Sequence, residues 1–303
     1  MSASSKPLLN LKNWIKNLPP VRDRRYRKYD NVVQPIIQNA IDDTLSQDPF
    51  PIFKFLEIET LNRCNGGCSF CPVNKRDDPR TYTRMKEELF ESIVNELSQI
   101  NYQGSFHLYS NNEPLLDKRI INFAKMAREA MPNAYIVLLS NGTLIDIEKY
   151  EALAPNLNRL LIDNYSDQHI KHSNVAEVEA HWEKNPPKHL DFRVQMRLET
   201  EVLTTRGGNA PNKRSFPELK SSCIVPFQQM VVRPTGEVSL CSNDALGEIT
   251  LGDVSKNGLL GVWRGEPFKK IRQDLMKGRS HIPMCSGCDS FYGDVPYPEW
   301  RAN

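Results

Sequence analysis

No stretch of the sequence approaches the ~20 consecutive apolar residues that a bilayer-spanning helix needs. The chain does not open with the basic-then-apolar pattern of a secretory signal peptide either, so a cytoplasmic protein is expected. Net charge is nearly absent: 39 Lys and Arg against 37 Asp and Glu leave +2, too little for a general argument for nucleic-acid binding. Internal repeats and low-complexity tracts are also missing, which excludes solenoids and arrays. Cysteine is scarce, seven residues in 303, yet it is far from evenly spread.

Three of the seven, Cys64, Cys68 and Cys71, fall within eight residues in the run Cys-Asn-Gly-Gly-Cys-Ser-Phe-Cys-Pro. Asn65-Gly66-Gly67 favours a loop over a helix, because adjacent glycines lower helix propensity and admit positive φ. Three thiolates in one loop can hold three irons of a four-iron cube and leave the fourth open, since full ligation takes four. A structural zinc site is the alternative, although zinc usually closes with four ligands. The other four, Cys223, Cys241, Cys285 and Cys288, can saturate a second cube, or form a zinc ribbon on spacing alone. Disulfides do not fit the iron–sulfur reading, because cluster assembly requires a reducing compartment.

A chain of this length divides naturally into a large domain and a smaller one. The first 30 residues carry eight Lys or Arg, with Arg22, Arg24, Arg25, Arg27 and Lys28 nearly contiguous, and read as a solvated arm or as a contact for an anionic partner. Val32, Val33, Ile36, Ile37 and Ile41 predict a helix over 31–45. Residues 1–50 therefore form a basic arm and helix. From 51 the pattern alternates: strand-like runs near 53–59, 105–109, 135–139, 158–162 and 191–198, with helical segments at 86–100 and 118–131. Such alternation predicts parallel β/α units with right-handed crossovers, an α/β fold in the form of a partial barrel over 51–206. Ligands of such folds sit at the carboxyl ends of the strands, where the cysteine loop, Glu113, Ser140 and Asp163 all follow predicted strands. Thr, Gly, Asn, Pro and Ser crowd 204–222, and Arg206-Gly207-Gly208-Asn209 reads as a linker turn that leaves a substrate or cofactor contact open. Residues 207–303 form the smaller domain, with a hairpin turning at Pro234-Thr235-Gly236 and a helix near 267–277.

The cysteine run resembles the signature of the radical S-adenosylmethionine (SAM) superfamily. Phe70 stands before the third cysteine as an aromatic residue usually does there, and Tyr-Ser-Asn-Asn-Glu-Pro-Leu-Leu at 109–116 is similar to the family's Gly-Gly-Glu-Pro element. Asn111 and Asn112 replace its two glycines, while Glu113 and Pro114 remain. Ser140-Asn141-Gly142 follows an apolar run at the place where the family contacts the SAM ribose or carboxylate. Residues 223–241, with Leu-Gly-Asp-Val and Gly-Val-Trp-Arg-Gly-Glu-Pro-Phe further on, resemble the auxiliary-cluster domain called Twitch, a shortened SPASM domain.

The resemblance implies SAM and two 4Fe-4S clusters as cofactors, the first held by Cys64, Cys68 and Cys71 and the second by Cys223, Cys241, Cys285 and Cys288. It implies reductive cleavage of SAM to a 5′-deoxyadenosyl radical, hydrogen abstraction from a substrate C–H bond, and an external one-electron donor such as flavodoxin or ferredoxin. Glu113 and Asn112 would hold the SAM amino group, with Phe70 beside the adenine and Ser140 and Asn141 at the ribose or carboxylate. Arg193, Gln195 and Arg197 alternate along one predicted strand and share a face. Gln195 and Arg197 are candidates for SAM if that face lines the barrel, whereas an edge strand would leave it wet. Arg197, Asp163 and Tyr165 are the candidate catalytic residues.

With all seven cysteines assigned, no thiol remains to return a hydrogen atom, which favours dehydrogenation over epimerisation. The auxiliary spacing resembles that of radical SAM aminocyclitol dehydrogenases, which turn a secondary alcohol into a ketone, so a polar small molecule such as a sugar, aminocyclitol or aminoglycoside is the expected substrate. Epimerisation or dehydration of a similar molecule, modification of a ribosomal peptide, and a non-catalytic iron–sulfur or zinc scaffold are the alternatives.

Overall fold

The computed structural model describes residues 18–201, 203–211 and 219–290. Five strands, β1 (Phe55–Ile58), β2 (Ser105–His107), β3 (Tyr135–Ser140), β4 (Arg159–Tyr165) and β5 (Asp191–Arg197), occupy the five runs expected from the sequence. Each of β2 to β5 pairs in parallel with the strand before it. Helices α1 (Pro19–Leu45), α2 (Glu87–Gln99), α3 (Ile120–Ala130), α4 (Ile147–Leu153) and α5 (Ser173–Lys184) precede or connect them. This is the incomplete β/α barrel that the alternation predicts.

The sheet does not stop at β1. Strand β6 (Gln229–Val232) lies parallel to β1, pairing Leu56 with Met230 and Ile58 with Val232. Antiparallel strands β7 (Glu237–Ser239) and β8 (Thr250–Asp253) continue it, giving the order β5-β4-β3-β2-β1-β6-β7-β8. The predicted hairpin is β6–β7, turning through Gly236 at φ 92°. Helices α6 (Val225–Gln228), α7 (Val254–Trp263), α8 (Glu266–Lys277) and α9 (Pro283–Ser286) surround this end. The cysteine-bearing C-terminal segment thus extends the same sheet beside the first strand.

Helical periodicity accounts for the packing. In α2 the residues Phe90, Ile93, Val94 and Leu97 recur at helical spacing and are buried. Phe90 stacks on Phe123 of α3 with centroids 4.2 Å apart, while Glu87 and Glu88 complement the helix dipole in the first turn. Glu96, on the same helix, accepts from the Leu259 and Leu260 amides at 2.8 and 2.9 Å. Gly258 makes this possible: its φ is +65°, and a Cβ there would stand 2.9 Å from the Glu96 carboxylate. Trp263, fully buried, donates to the Pro51 carbonyl at 2.8 Å and packs edge-on against Phe53. The entrance to β1 is therefore fastened to the C-terminal helices.

Two parts of the sequence reading are corrected. The predicted helix over 31–45 begins at Pro19, because a proline pair suits the first turn and Tyr29, Val33, Ile37 and Ile41 form one buried stripe. Arg24, Arg25, Arg27 and Lys28 are thus exposed helix positions rather than an arm, while residues 1–17 lie outside the described ones. Asp30, buried at one end of that stripe, accepts from the backbone amides of Lys220 and Ser221 and joins α1 to the segment before Cys223. Helix α7 was not foreseen, because Gly258 and Gly261 suppress its local propensity. Among the described residues no helix is long and apolar enough to cross a membrane.

Candidate active site

The cysteine loop follows β1 and is fixed by its own backbone. The Gly66 amide donates to the Cys64 sulfur at 3.3 Å, Cys71 N–H to the Cys68 carbonyl at 3.2 Å, and Lys75 N–H to the Gly66 carbonyl at 3.0 Å. Asn141, arriving from the end of β3, donates to Asn65 Oδ1 at 2.8 Å and lies 3.8 Å from the Cys64 sulfur. All three cysteines are free thiols and line a cavity of about 240 Å³. Burial pushes the Cys64 thiol up to about 11 and the Cys68 thiol up to about 12, with the neighbouring sulfurs adding to the rise.

This donor set suits a cationic group that would make thiolates favourable. Among the described residues no three His, Cys, Asp or Glu side chains close on the position of a single metal ion. A Cβ on Gly66 would stand 3.4 Å from the Cys64 sulfur and 3.8 Å from that of Cys68, in the space a cluster between them would need. Two buried polar atoms of the cavity walls lack a partner, Asn112 Nδ2 and Asp163 Oδ1, as expected where a polar ligand completes the bonding.

Glu113 is the best-defined side chain of the site. It is buried and sits at the start of a 3₁₀ turn, Pro114–Leu116. Its Oε1 accepts from Leu115 N–H at 3.0 Å and Ser140 Oγ at 2.8 Å, and its Oε2 from Asn141 N–H at 2.7 Å. A carboxylate has about four acceptor sites, so Oε2 retains one. Burial pushes this carboxyl up to about 7 against the pull of those donors. Ser140 therefore positions Glu113 and is itself buried, whereas Asn141 reaches the cavity wall.

Arg197, Asp163 and Tyr165 also come together on the wall. Tyr165 donates to Asp163 Oδ2 at 3.2 Å, and an Arg197 nitrogen lies 3.5 Å from the same oxygen. Arg197 makes its shorter contacts with Glu201, at 2.6 and 2.8 Å. Burial raises the Asp163 carboxyl above its ordinary value despite Arg197. Phe70 packs against Tyr165 at 5.9 Å between centroids. Gln195, two residues before Arg197 on the same face of the edge strand β5, is exposed and absent from the cavity wall.

The other four thiols gather at the C-terminal end. Cys241, half-buried, interacts electrostatically with Cys223, Cys285 and Cys288, and burial followed by this mutual repulsion raises its pKa well above the ordinary thiol. Arg279, which the sequence reading did not single out, supplies buried positive charge to Cys223, Cys288 and Cys285. It is held by the carbonyls of Ser221 at 2.9 Å and Ser290 at 3.1 Å.

A second chamber of about 450 Å³ adjoins the first and shares the walls Tyr109, Ser110, Asn111, Leu139 and Arg206. Its other walls include Glu57 and Phe55 of β1, Gln229 of β6, and Ser242, the residue after Cys241. Asn111 joins the parts: its side chain donates to the Ser242 carbonyl at 3.1 Å and accepts from Arg206. Glu57 was missed because one acid in an apolar strand reads as an edge position; only the pairing of β1 on both sides shows it to be interior.

Comparison with known proteins agrees with this arrangement. The radical SAM superfamily model matches residues 58–166, and the iron–sulfur cluster-binding domain SPASM matches residues 223–289. The chain belongs to the radical SAM superfamily and carries a C-terminal SPASM domain. It is an enzyme of that class, whose members use SAM and iron–sulfur clusters. The chain is 26% identical over 245 residues to the S-adenosyl-L-methionine-dependent 2-deoxy-scyllo-inosamine dehydrogenase of Niallia circulans, covering 79% of this chain and 94% of the relative. In fold it is similar to BtrN in complex with AdoMet and 2-DOIA, with TM-score 0.65 and 22% identity over 79% of this chain and 94% of that one. It is also similar to anSMEcpe with bound AdoMet, with TM-score 0.56 and 14% identity over 83% of this chain and 91% of that one.

Proposed function

We propose that this enzyme oxidises an alcohol carbon of a polar small molecule, a sugar, aminocyclitol or aminoglycoside, to a ketone. One observation carries the reading: the second chamber shares five walls with the cavity of Cys64, Cys68 and Cys71 and is also lined by Ser242, the residue after Cys241. A substrate there would have a hydrogen-atom acceptor on one side and an electron acceptor on the other. The similarity to a 2-deoxy-scyllo-inosamine dehydrogenase supports the same choice.

In this reading Cys64, Cys68 and Cys71 hold one 4Fe-4S cluster with an open iron for SAM, and Cys223, Cys241, Cys285 and Cys288 saturate another. When bound, SAM and the first cluster supply a 5′-deoxyadenosyl radical that removes a hydrogen atom, and the second cluster supplies a one-electron acceptor. The remaining acceptor site of Glu113 Oε2 takes the SAM ammonium through a charge-assisted hydrogen bond, and Asn112 Nδ2 donates beside it. Phe70 and Tyr165 present an aromatic wall for the adenine, and Asn141 faces the ribose or carboxylate. Asp163 Oδ1, without a partner and raised in pKa by burial, stands on the wall of the first cavity and takes the proton of a substrate hydroxyl that reaches into it from the adjoining chamber, with Tyr165 and Arg197 fixing the other oxygen.

An external one-electron donor, flavodoxin or ferredoxin, reduces the enzyme before each turnover, and a reducing cytoplasm suits free thiols and cluster assembly. The test is turnover in deuterium oxide with dithionite and SAM. A ketone accompanied by 5′-deoxyadenosine supports oxidation. Solvent deuterium at a carbon of inverted configuration contradicts it in favour of epimerisation.

A further inference from the structure

The second thiol set has a charge environment of its own. Arg279 is 5% exposed, and every hydrogen bond of its side chain goes to a backbone carbonyl. Its Nε donates to Ser221 at 2.9 Å and its Nη2 to Ser222 at 3.5 Å, on the segment that enters Cys223. Nη1 donates to Cys288 at 3.4 Å, and both terminal nitrogens reach Ser290 at 3.1 Å. One planar guanidinium thus spans the two chain segments that bear the first and last thiols of the set, which the compact ammonium of a lysine could not do. No carboxylate among the described residues forms an ion pair with it.

A buried cation without a counter-charge is costly. Here the counter-charge is sulfur: burial works against the Arg279 charge, and Cys223, Cys288 and Cys285 lead the groups that outweigh it. At Cys285 the effect of Arg279 exceeds that of the buried Asp244, whose carboxylate is already occupied by the amides of Leu240, Glu248 and Ile249. N–H groups also address the sulfurs, Val225 that of Cys223 and Asn243 that of Cys241, with Asn243 Nδ2 3.8 Å from the Cys288 sulfur. The first set differs, because Glu113 and Glu199 set negative charge against Cys64 and Cys68. Four thiolates leave a 4Fe-4S cube anionic and an added electron deepens that charge, so nearby charge and hydrogen bonds to sulfur set its potential. A fixed cation stabilises the reduced cube more than the oxidised one.

We propose that Arg279 is a positioning residue for electron transfer, raising the reduction potential of the second cluster so that it takes the electron released as the substrate becomes a ketone. The substrate gives a hydrogen atom to the 5′-deoxyadenosyl radical, a proton to Asp163 and an electron to this cluster, which is reduced as the carbon is oxidised. This role rests on Cys223, Cys241, Cys285 and Cys288 saturating a cube under the dehydrogenase reading.

The test is a mediated reductive titration of the anaerobically reconstituted full-length enzyme, followed by electron paramagnetic resonance. S-Adenosylhomocysteine perturbs the cluster with an open iron, so the signal it leaves unchanged belongs to the second cluster. Arg279→Gln removes the charge and Arg279→Lys keeps it. In Arg279→Gln the one-electron equilibrium of the second cluster should move about tenfold or more toward the oxidised form, the order of a unit charge at an intermediate dielectric. A factor of ten is a fall of about 59 mV. Arg279→Lys should lie nearer the wild type than Arg279→Gln does, and the first cluster should be unmoved in both. An unchanged potential in Arg279→Gln, or an equal fall in the two variants, overturns the assignment. Loss of the second cluster from Arg279→Gln alone supports a required charge, whereas loss from both variants leaves only a structural clamp and overturns it. Iron is counted first: about four irons or zinc in the wild type defeats the cluster reading itself, whereas about eight irons with an unmoved potential defeats only the role of Arg279.

Discussion

Asn111 donates from its side chain to the carbonyl of Ser242 at 3.1 Å, linking the segment matched by the radical SAM model to the SPASM domain. It stands where the related motif has glycine, and a glycine there could make neither this bond nor the one accepted from Arg206. Asn111→Gly should therefore destabilise the protein by about 1–3 kcal/mol, the cost of leaving buried partners unpaired. Chemical denaturation of the cluster-free protein measures it. A midpoint identical to wild type would show that the two halves are held together elsewhere.

Glu113→Gln replaces an acceptor that three donors already address. The amide must turn its NH₂ toward Asn141 N–H or toward Leu115 N–H and Ser140, and it loses the charge intended for the SAM ammonium. SAM affinity should fall by about tenfold or more, since hydrogen bonds to charged groups contribute ~1.5–3 kcal/mol. Equilibrium binding of SAM under anaerobic conditions checks this, and unaltered affinity would remove Glu113 from the proposed contact.

Cys285→Ala should remove the ligand set of the second cluster and leave the loop of Cys64, Cys68 and Cys71 intact, because Cys285 does not line the cavity of that loop and groups instead with Cys223, Cys241 and Cys288. The variant should still form 5′-deoxyadenosine with dithionite and SAM while losing the ketone. Cys64→Ala should lose both. Full ketone yield from Cys285→Ala would separate the second thiol set from the reaction.

The acids of β1 give a pH dependence with a definite sign. Burial lifts Glu57 and Glu59 from 4.5 to about 7 in the folded state, against the ordinary value when unfolded. Their contribution to stability is complete below pH 4.5 and is lost as pH rises through 7, where the buried carboxyls must ionise. In the cluster-free protein, Glu57→Gln should thus gain stability relative to wild type between pH 5 and pH 8. Melting temperatures of the pair across that range measure the gain, and a gap that shrinks with rising pH would contradict it.

The sequence carried the chemistry better than its surroundings. Cysteine spacing and the Glu-Pro element were legible because they are local, and the five parallel strands because apolar runs alternate with helical periodicity. Alternation along β5 could show that Gln195 and Arg197 share a face, but an edge strand has no neighbour on one side, a property of pairing that the segment itself does not contain. Glu57 posed the reverse problem: a single acid in an apolar run shows nothing of its burial, which comes from β2 and β6 flanking β1 on both sides. Arg206 read as a linker turn because two glycines follow it, yet that turn delivers the guanidinium to the wall of both chambers. The role of Arg279 beside the second thiol set depends on carbonyls 58 residues upstream and 11 downstream, which no spacing announces.

Iron content of the anaerobically reconstituted wild-type protein bears most directly on the assignment of three thiols to one cluster and four to another. About eight irons per chain are expected for two cubes. About four irons, or zinc in place of iron at either set, would contradict it.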